Sequence, residues 1–300
     1  MEIVTTGLRI GEGPIPMDDG SVLVTEVTGG ALTRVTPDGA QHIVAEVGGG
    51  PNGAAIGPDG AVYVANNGGM FINVEDGRIT GYGRAPGYRG GSIQRVNVST
   101  GRSEVVYDSY EGVRLSAPND IVFDGNGGFW FTDSGHRLPE HKEWGALYYA
   151  RADGSKLTRV RSHLMLPNGV GLSPDGSRVY VADSASANVW ALDLAGPGAP
   201  KDAATTVGPG PTVGRQSAFA GLDSMALEAS GRICVASSPG RIAVFTPGEG
   251  VENVEVPSHN VTNICFGGTD MRDAWITCGA SGLLLKSRWP RPGARLAHYA

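Results

Sequence analysis

Three hundred residues with 24 Lys and Arg against 30 Asp and Glu give a formal charge of −6 and a pI near 5.5; without a basic stripe, this argues against nucleic acid or an anionic membrane as partner. No apolar stretch reaches membrane-spanning length, and residues 1–10 lack the charged and apolar regions of a signal peptide, so a cytoplasmic location is the expectation. Forty-seven Gly and 19 Pro, set among short runs of Val, Ile, Tyr and Trp, fit many strands joined by tight turns and leave no long helical period.

In chain order, residues 2–8 form a short strand-like run with no local partner. A phrase then recurs: a carboxylate or carboxamide residue, followed seven positions later by Asp, Asn or Ser opening a turn. The pairs are Glu12 and Asp19, Asn52 and Asp59, Asn119 and Asn126, Asn168 and Asp175, Asp223 and Ser230, and Asn263 and Asp270. Gly follows the second member in the first five, as a hairpin turn prefers, and Met271 in the sixth.

The first members lie 40, 67, 49, 55 and 40 residues apart, periods that suit propeller blades of about four strands each. The reading is an all-β, six-bladed β-propeller, with residues 1–300 as one domain. In the fourth unit the expected strands are 169–172, 178–182 and 189–194, with a last one near 205–207. In the sixth they are near 262–267, 273–278 and 282–287, and residues 2–8 close the ring as its outermost strand; the alternative occupant is 295–299. The two longest units hold insertions. Residues 68–91 carry Phe71, Tyr82, Arg84, Tyr88 and Arg89, and residues 134–145 carry His136, His141 and Trp144. Both leave the end of a second strand, so they should overhang the level at which the first strands begin.

Equivalent starts of inner strands form a ring at one mouth of the channel, here Glu12, Asn52, Asn119, Asn168, Asp223 and Asn263. One such Asn is ordinarily a backbone cap, but six oxygen-bearing residues in equivalent positions exceed what turn chemistry requires. Two carboxylates with neutral amide oxygens, and no His or Cys, suit Ca²⁺ foremost, with Mg²⁺ or Mn²⁺ next and Zn²⁺ a poorer match.

At these residues the chain resembles the regucalcin and gluconolactonase family of six-bladed propellers, and its relative diisopropyl fluorophosphatase. The matching pieces are Gly11-Glu12-Gly13-Pro14, Pro118-Asn119-Asp120 leading into Gly128-Phe129-Trp130-Phe131-Thr132-Asp133, Pro167-Asn168-Gly169 followed by Ser173-Pro174-Asp175-Gly176, and Leu222-Asp223-Ser224-Met225. The resemblance implies a divalent metal held by Glu12, Asn168 and Asp223, with Asn119 as a fourth ligand or substrate contact. Asn52 and Asn263 complete the ring by position alone. The organophosphate-hydrolysing relatives also hold a structural calcium, at places occupied here by Ala226 and Cys265.

The function that follows is metal-dependent opening of a small lactone, a sugar lactone or similar, with Asp223 activating water as general base, the alternative being direct nucleophilic attack by its carboxylate. Asn119, Asn52, Asn263, His136, Arg84, Tyr82 and Trp144 are the candidate substrate contacts. Asp133 and Asp183 end second strands at the same rim and are expected to orient ligand or water. The competing readings are an organophosphate-type hydrolase, a lyase or isomerase on the same ring, and a non-catalytic binding propeller. Cys234, Cys265 and Cys278 have no metal-ligand spacing and are expected as buried thiols. Cys265 and Cys278 sit on neighbouring strands, where a disulfide is possible but disfavoured in a reducing cytosol.

Overall fold

In the computed structural model, which describes residues 1–298 apart from 139, 218 and 219, every regular element is a strand. Six antiparallel sheets succeed one another along the chain as a six-bladed β-propeller. Their inner strands are Gly11–Pro16, Pro51–Ile56, Pro118–Phe123, Pro167–Leu172, Gly221–Leu227 and Val261–Gly267. Closure is by Glu2–Thr5, which pairs antiparallel with Leu283–Arg288 as the fourth strand of blade 6. The alternative closing segment includes Tyr299, which lies outside the described residues.

The turns carry the strain the phrase anticipates. Gly20, Gly60, Gly127, Gly176 and Gly231 have φ between +67° and +86°, and Met271 adopts +57° in the sixth turn. A non-glycine residue there costs on the order of 1–2 kcal/mol. Burial of Met271 in the cluster between blades 5 and 6 offsets it.

Apolar side chains on both faces of each sheet form six clusters, one per blade interface. Strand alternation explains the sharing: Phe129 and Phe131 face blade 2, while Trp130 between them faces blade 4. The same alternation separates Cys265 from Cys278. They lie in different clusters, and all three thiols are free and buried.

One strand differs from expectation. The fourth strand of blade 4 is Thr212–Arg215, and residues 205–207 instead lie against the outer strand of blade 3. The cause is the buried Arg161, whose guanidinium donates to the carbonyls of Thr205 and Asp202, while Ser162 N donates to Thr206 O at 2.9 Å.

Beyond blade 6 the chain crosses the channel end opposite the ring residues. Gly293 N donates to Met271 O (2.7 Å), Ala294 N to Leu227 O (2.7 Å), and the His298 ring meets Phe123 of blade 3 edge-on at 5.5 Å. This strap closes a cavity of about 410 Å³, lined by Ile15, Ile56, Phe123, Leu172, Phe266 and Leu296. Its anchor is Glu228, fully buried, which accepts from Trp289 Nε1 at 2.7 Å and Arg291 Nε at 2.6 Å. Arg291→Ala leaves that carboxylate buried without its cation, with the Trp289 indole and the Ser230 hydroxyl as its remaining N–H and O–H donors, and is expected to cost on the order of 3 kcal/mol in urea unfolding. A loss below about 0.5 kcal/mol would show that the anchor does not hold the strap.

Candidate functional site

The six ring residues are presented by a repeated local device. In every blade the pairing of inner and second strands breaks register at the ring residue, between Glu12 and Ile15, Pro51 and Ala54, Pro118 and Ile121, Pro167 and Val170, Leu222 and Met225, and Val261 and Asn263. Such an irregularity re-aims side chains out of the pleat. Hydroxyls fix the backbone there: Thr25 donates to Asn52 O, Thr132 to Asn168 O, Ser184 to Leu222 O, and Thr262 to Gly11 O at 2.8 Å. Each bond joins one blade to the next, so the ring is spaced by inter-blade ties.

Within the ring the side chains divide. Asn263 Nδ2 donates to Glu12 Oε2 at 3.0 Å, and its Oδ1 accepts from Ile264 N at 2.8 Å, so this amide is committed to holding Glu12. Asn168 donates to Asp223. The Oδ1 atoms of Asn52, Asn119 and Asn168 are buried with no hydrogen-bond partner. A buried carbonyl oxygen without a donor is costly, so each of the three calls for a partner that the chain does not supply.

Sequence reasoning passed over Asp120, the residue after Asn119. It is buried, and its Oδ1 and Oδ2 accept from Ile121 N and Val170 N, each at 3.0 Å. The amide of Met225 bonds it as well. The signal for it was its uniqueness: the corresponding residues are Gly13, Gly53, Gly169, Ser224 and Ile264. Burial pushes both Asp120 and Asp223 up to about 7, with the charge of Asp120 adding to the shift of Asp223. Glu12 is raised well above its ordinary range, first by burial and then by Asp223 and Asp120. Three carboxylates thus oppose one another's ionisation.

The insertions meet above the approach to Asn119. Arg84, on the hairpin strand Arg78–Arg84, pairs with Glu143 and stacks over Tyr88 at 4.5 Å; Tyr88 in turn donates to Ser116 O at 2.7 Å, and Ser116 Oγ donates to Glu143. His136 is 2% exposed, edge-on to Tyr88 at 4.7 Å and bonded to the Asn67 backbone, with Nε2 unpartnered. Burial lowers its pKa, so the imidazole is neutral at neutral pH. Asp133 accepts from Ser116 N, Ala117 N and Gly135 N, and Asp183 from Leu166 N, Ala185 N and Ser186 N, so both brace the chain entering inner strands. Tyr82 is 41% exposed on the hairpin. Trp144 is 63% exposed and packs on His163 of the outermost strand of blade 3, a flank position that does not bring it to the ring.

Among the described residues no group of three or more His, Cys, Asp and Glu side chains suffices by itself to hold a metal. The amide oxygens supply what is missing: with Glu12 and Asp223 they form an all-oxygen donor set that fits a hard divalent cation.

The SMP-30/gluconolactonase/LRE-like family model matches residues 10–280. The chain belongs to this family. It is 28% identical to a gluconolactonase of Zymomonas mobilis over 89% of this chain and 76% of that protein. It is 25% identical to the pentonolactonase XacC of Haloferax volcanii over 92% and 83%. Its fold superposes on regucalcin of Agrobacterium tumefaciens, described as a calcium-binding protein, with a TM-score of 0.73 at 18% identity, covering 98% and 97%. Ala226 and Cys265, the two places singled out in the sequence for a second calcium, both line the channel cavity, and neither side chain carries an oxygen.

Proposed function

We propose that the protein is a metal-dependent lactonase, opening a sugar lactone or a similar small lactone at the Glu12 mouth of the channel. The cation is Ca²⁺ foremost, held by Glu12, Asn119, Asn168 and Asp223. The observation that carries this reading is the set of three orphaned amide oxygens beside mutually repelling buried carboxylates, chemistry that calls for a cation. Family membership and the two lactonase relatives support the reaction.

When bound, the cation supplies Lewis-acid polarisation of the lactone carbonyl and charge stabilisation of the oxygen as water attacks. Asp223, held by Asn168, takes the proton of the attacking water. Asn263 keeps Glu12 in place. Asn52 and Asn119 orient the substrate's oxygens, and neutral His136 presents Nε2 as an acceptor for a substrate hydroxyl. Arg84 and Tyr82 belong to the overhanging hairpin and shape entry to the ring.

A panel of sugar, aliphatic and aromatic lactones, followed by proton release, tests this. Turnover is expected to disappear after chelation and return with Ca²⁺, Mg²⁺ or Mn²⁺. Full turnover in a metal-free preparation would overturn the mechanism, and preferential turnover of fluorophosphates would redirect the substrate class.

A further inference from the structure

We propose that Asp120 is the positioning residue of this ring, its carboxylate tying together the strands that carry Asn119, Asn168 and Asp223. The inference rests on the metal-dependent reading above and names a residue on which the affinity of that site depends.

The geometry is specific. The three amides that bond Asp120 belong to Ile121, Val170 and Met225. Each lies two residues after a ring member, so a single carboxylate holds the inner strands of blades 3, 4 and 5 at one height, one step below Asn119, Asn168 and Asp223. Two acceptor oxygens are needed for this. An amide in the same place would turn an N–H donor toward a backbone N–H. Gly53 makes the space for this residue: a Cβ there would lie 2.6 Å from Asp120 Oδ1 and from its Cα. Four of the five residues at equivalent positions, Gly13, Gly53, Gly169 and Ser224, are small. Asp120 and Asn263 also stand at the ring end of the channel cavity, which places Asp120 on the channel side of the donor set.

A support that orients metal ligands typically changes affinity by about 10–100-fold when removed. A strand tie with no relation to the cation would behave differently, lowering the stability of the metal-free protein and leaving affinity unchanged. The full chain, stripped of metal, is titrated with Ca²⁺ by calorimetry and melted with and without the ion, as wild type and as Asp120→Asn. The expected result is Ca²⁺ affinity weaker by about 10–100-fold in the variant, beyond any change in its metal-free melting temperature. Unchanged affinity, with or without a lower metal-free melting temperature, would overturn the proposal. Wild type that binds no divalent ion would overturn the metal reading itself and this inference with it. If Asp120→Asn does not fold, Asp120→Glu serves: it keeps two acceptor oxygens but shifts them by one methylene, which is expected to weaken Ca²⁺ binding, and unchanged affinity there counts against Asp120.

Discussion

Asp223→Asn is expected to lower lactone turnover by about 10²–10⁴-fold, the range associated with loss of a general base, while leaving the metal-free protein at least as stable as wild type. The two halves of the expectation have one origin. Burial, together with the charge of Asp120, holds Asp223 at about 7, so its ionised form is disfavoured in the fold. Replacing it with a neutral isostere removes that repulsion and keeps the side-chain volume. In the proposed mechanism the same charge would take up the proton of water and offset part of the cation's charge, and a neutral amide would do neither. Steady-state kinetics at saturating Ca²⁺, read beside a chelated thermal melt, separate this from general damage. Turnover within about threefold of wild type would remove Asp223 from the base role, and a large fall in the chelated melting temperature would assign the loss to folding.

The recurring phrase made the blades, their turns and the ring legible because each depends on local chemistry repeated six times. The turns need Gly or a tolerated left-handed residue, and the ring needs an oxygen at the strand start. What escaped is what only neighbouring blades specify. Asp120 has no counterpart in the repeat, and its meaning lies in the amides of Val170 and Met225, 50 and 105 positions further along. Residues 205–207 read well as a strand, yet the guanidinium of Arg161 draws them to blade 3.

The insertions show the same limit at the mouth. A loop histidine is usually solvated, but His136 is covered because Tyr88 and Asn67 arrive from blade 2. Trp144 lies three residues further along the loop than His141 and turns outward to His163. The inequality among the ring amides was equally hidden. Asn263 spends both its polar atoms on Glu12 and Ile264, while Asn52, Asn119 and Asn168 keep their oxygens free, a distinction set by rotamer and neighbour.

Chelated protein is expected to lose stability as pH rises from about 5 to about 8, and divalent cation to reverse that trend. Asp120 and Asp223 titrate near 7 in the fold against 3.8 for an ordinary Asp, and Glu12 shifts in the same direction. Between those values the folded chain binds more protons than the unfolded one, so stability falls as pH rises through the window and the loss is complete above the folded values. For coupled groups of this kind the total is on the order of several kcal/mol. Asp133, raised by burial, adds in the same sense. His136 acts oppositely, because its lowered pKa makes the fold bind fewer protons up to about 6.5, but it is one group against the carboxylates. Glu26 and Glu228, both lowered, have exerted their stabilising effect before this window opens, above their ordinary value of 4.5. Cation binding requires the carboxylates ionised and releases their protons, so its affinity rises across the same range. Melting curves at four pH values with chelator or Ca²⁺ should therefore diverge, the gain from Ca²⁺ being smallest near pH 5 and largest near pH 8. A gain independent of pH would mean that the cation does not bind where Glu12, Asp120 and Asp223 repel one another, and the ring would lose its standing as the catalytic centre.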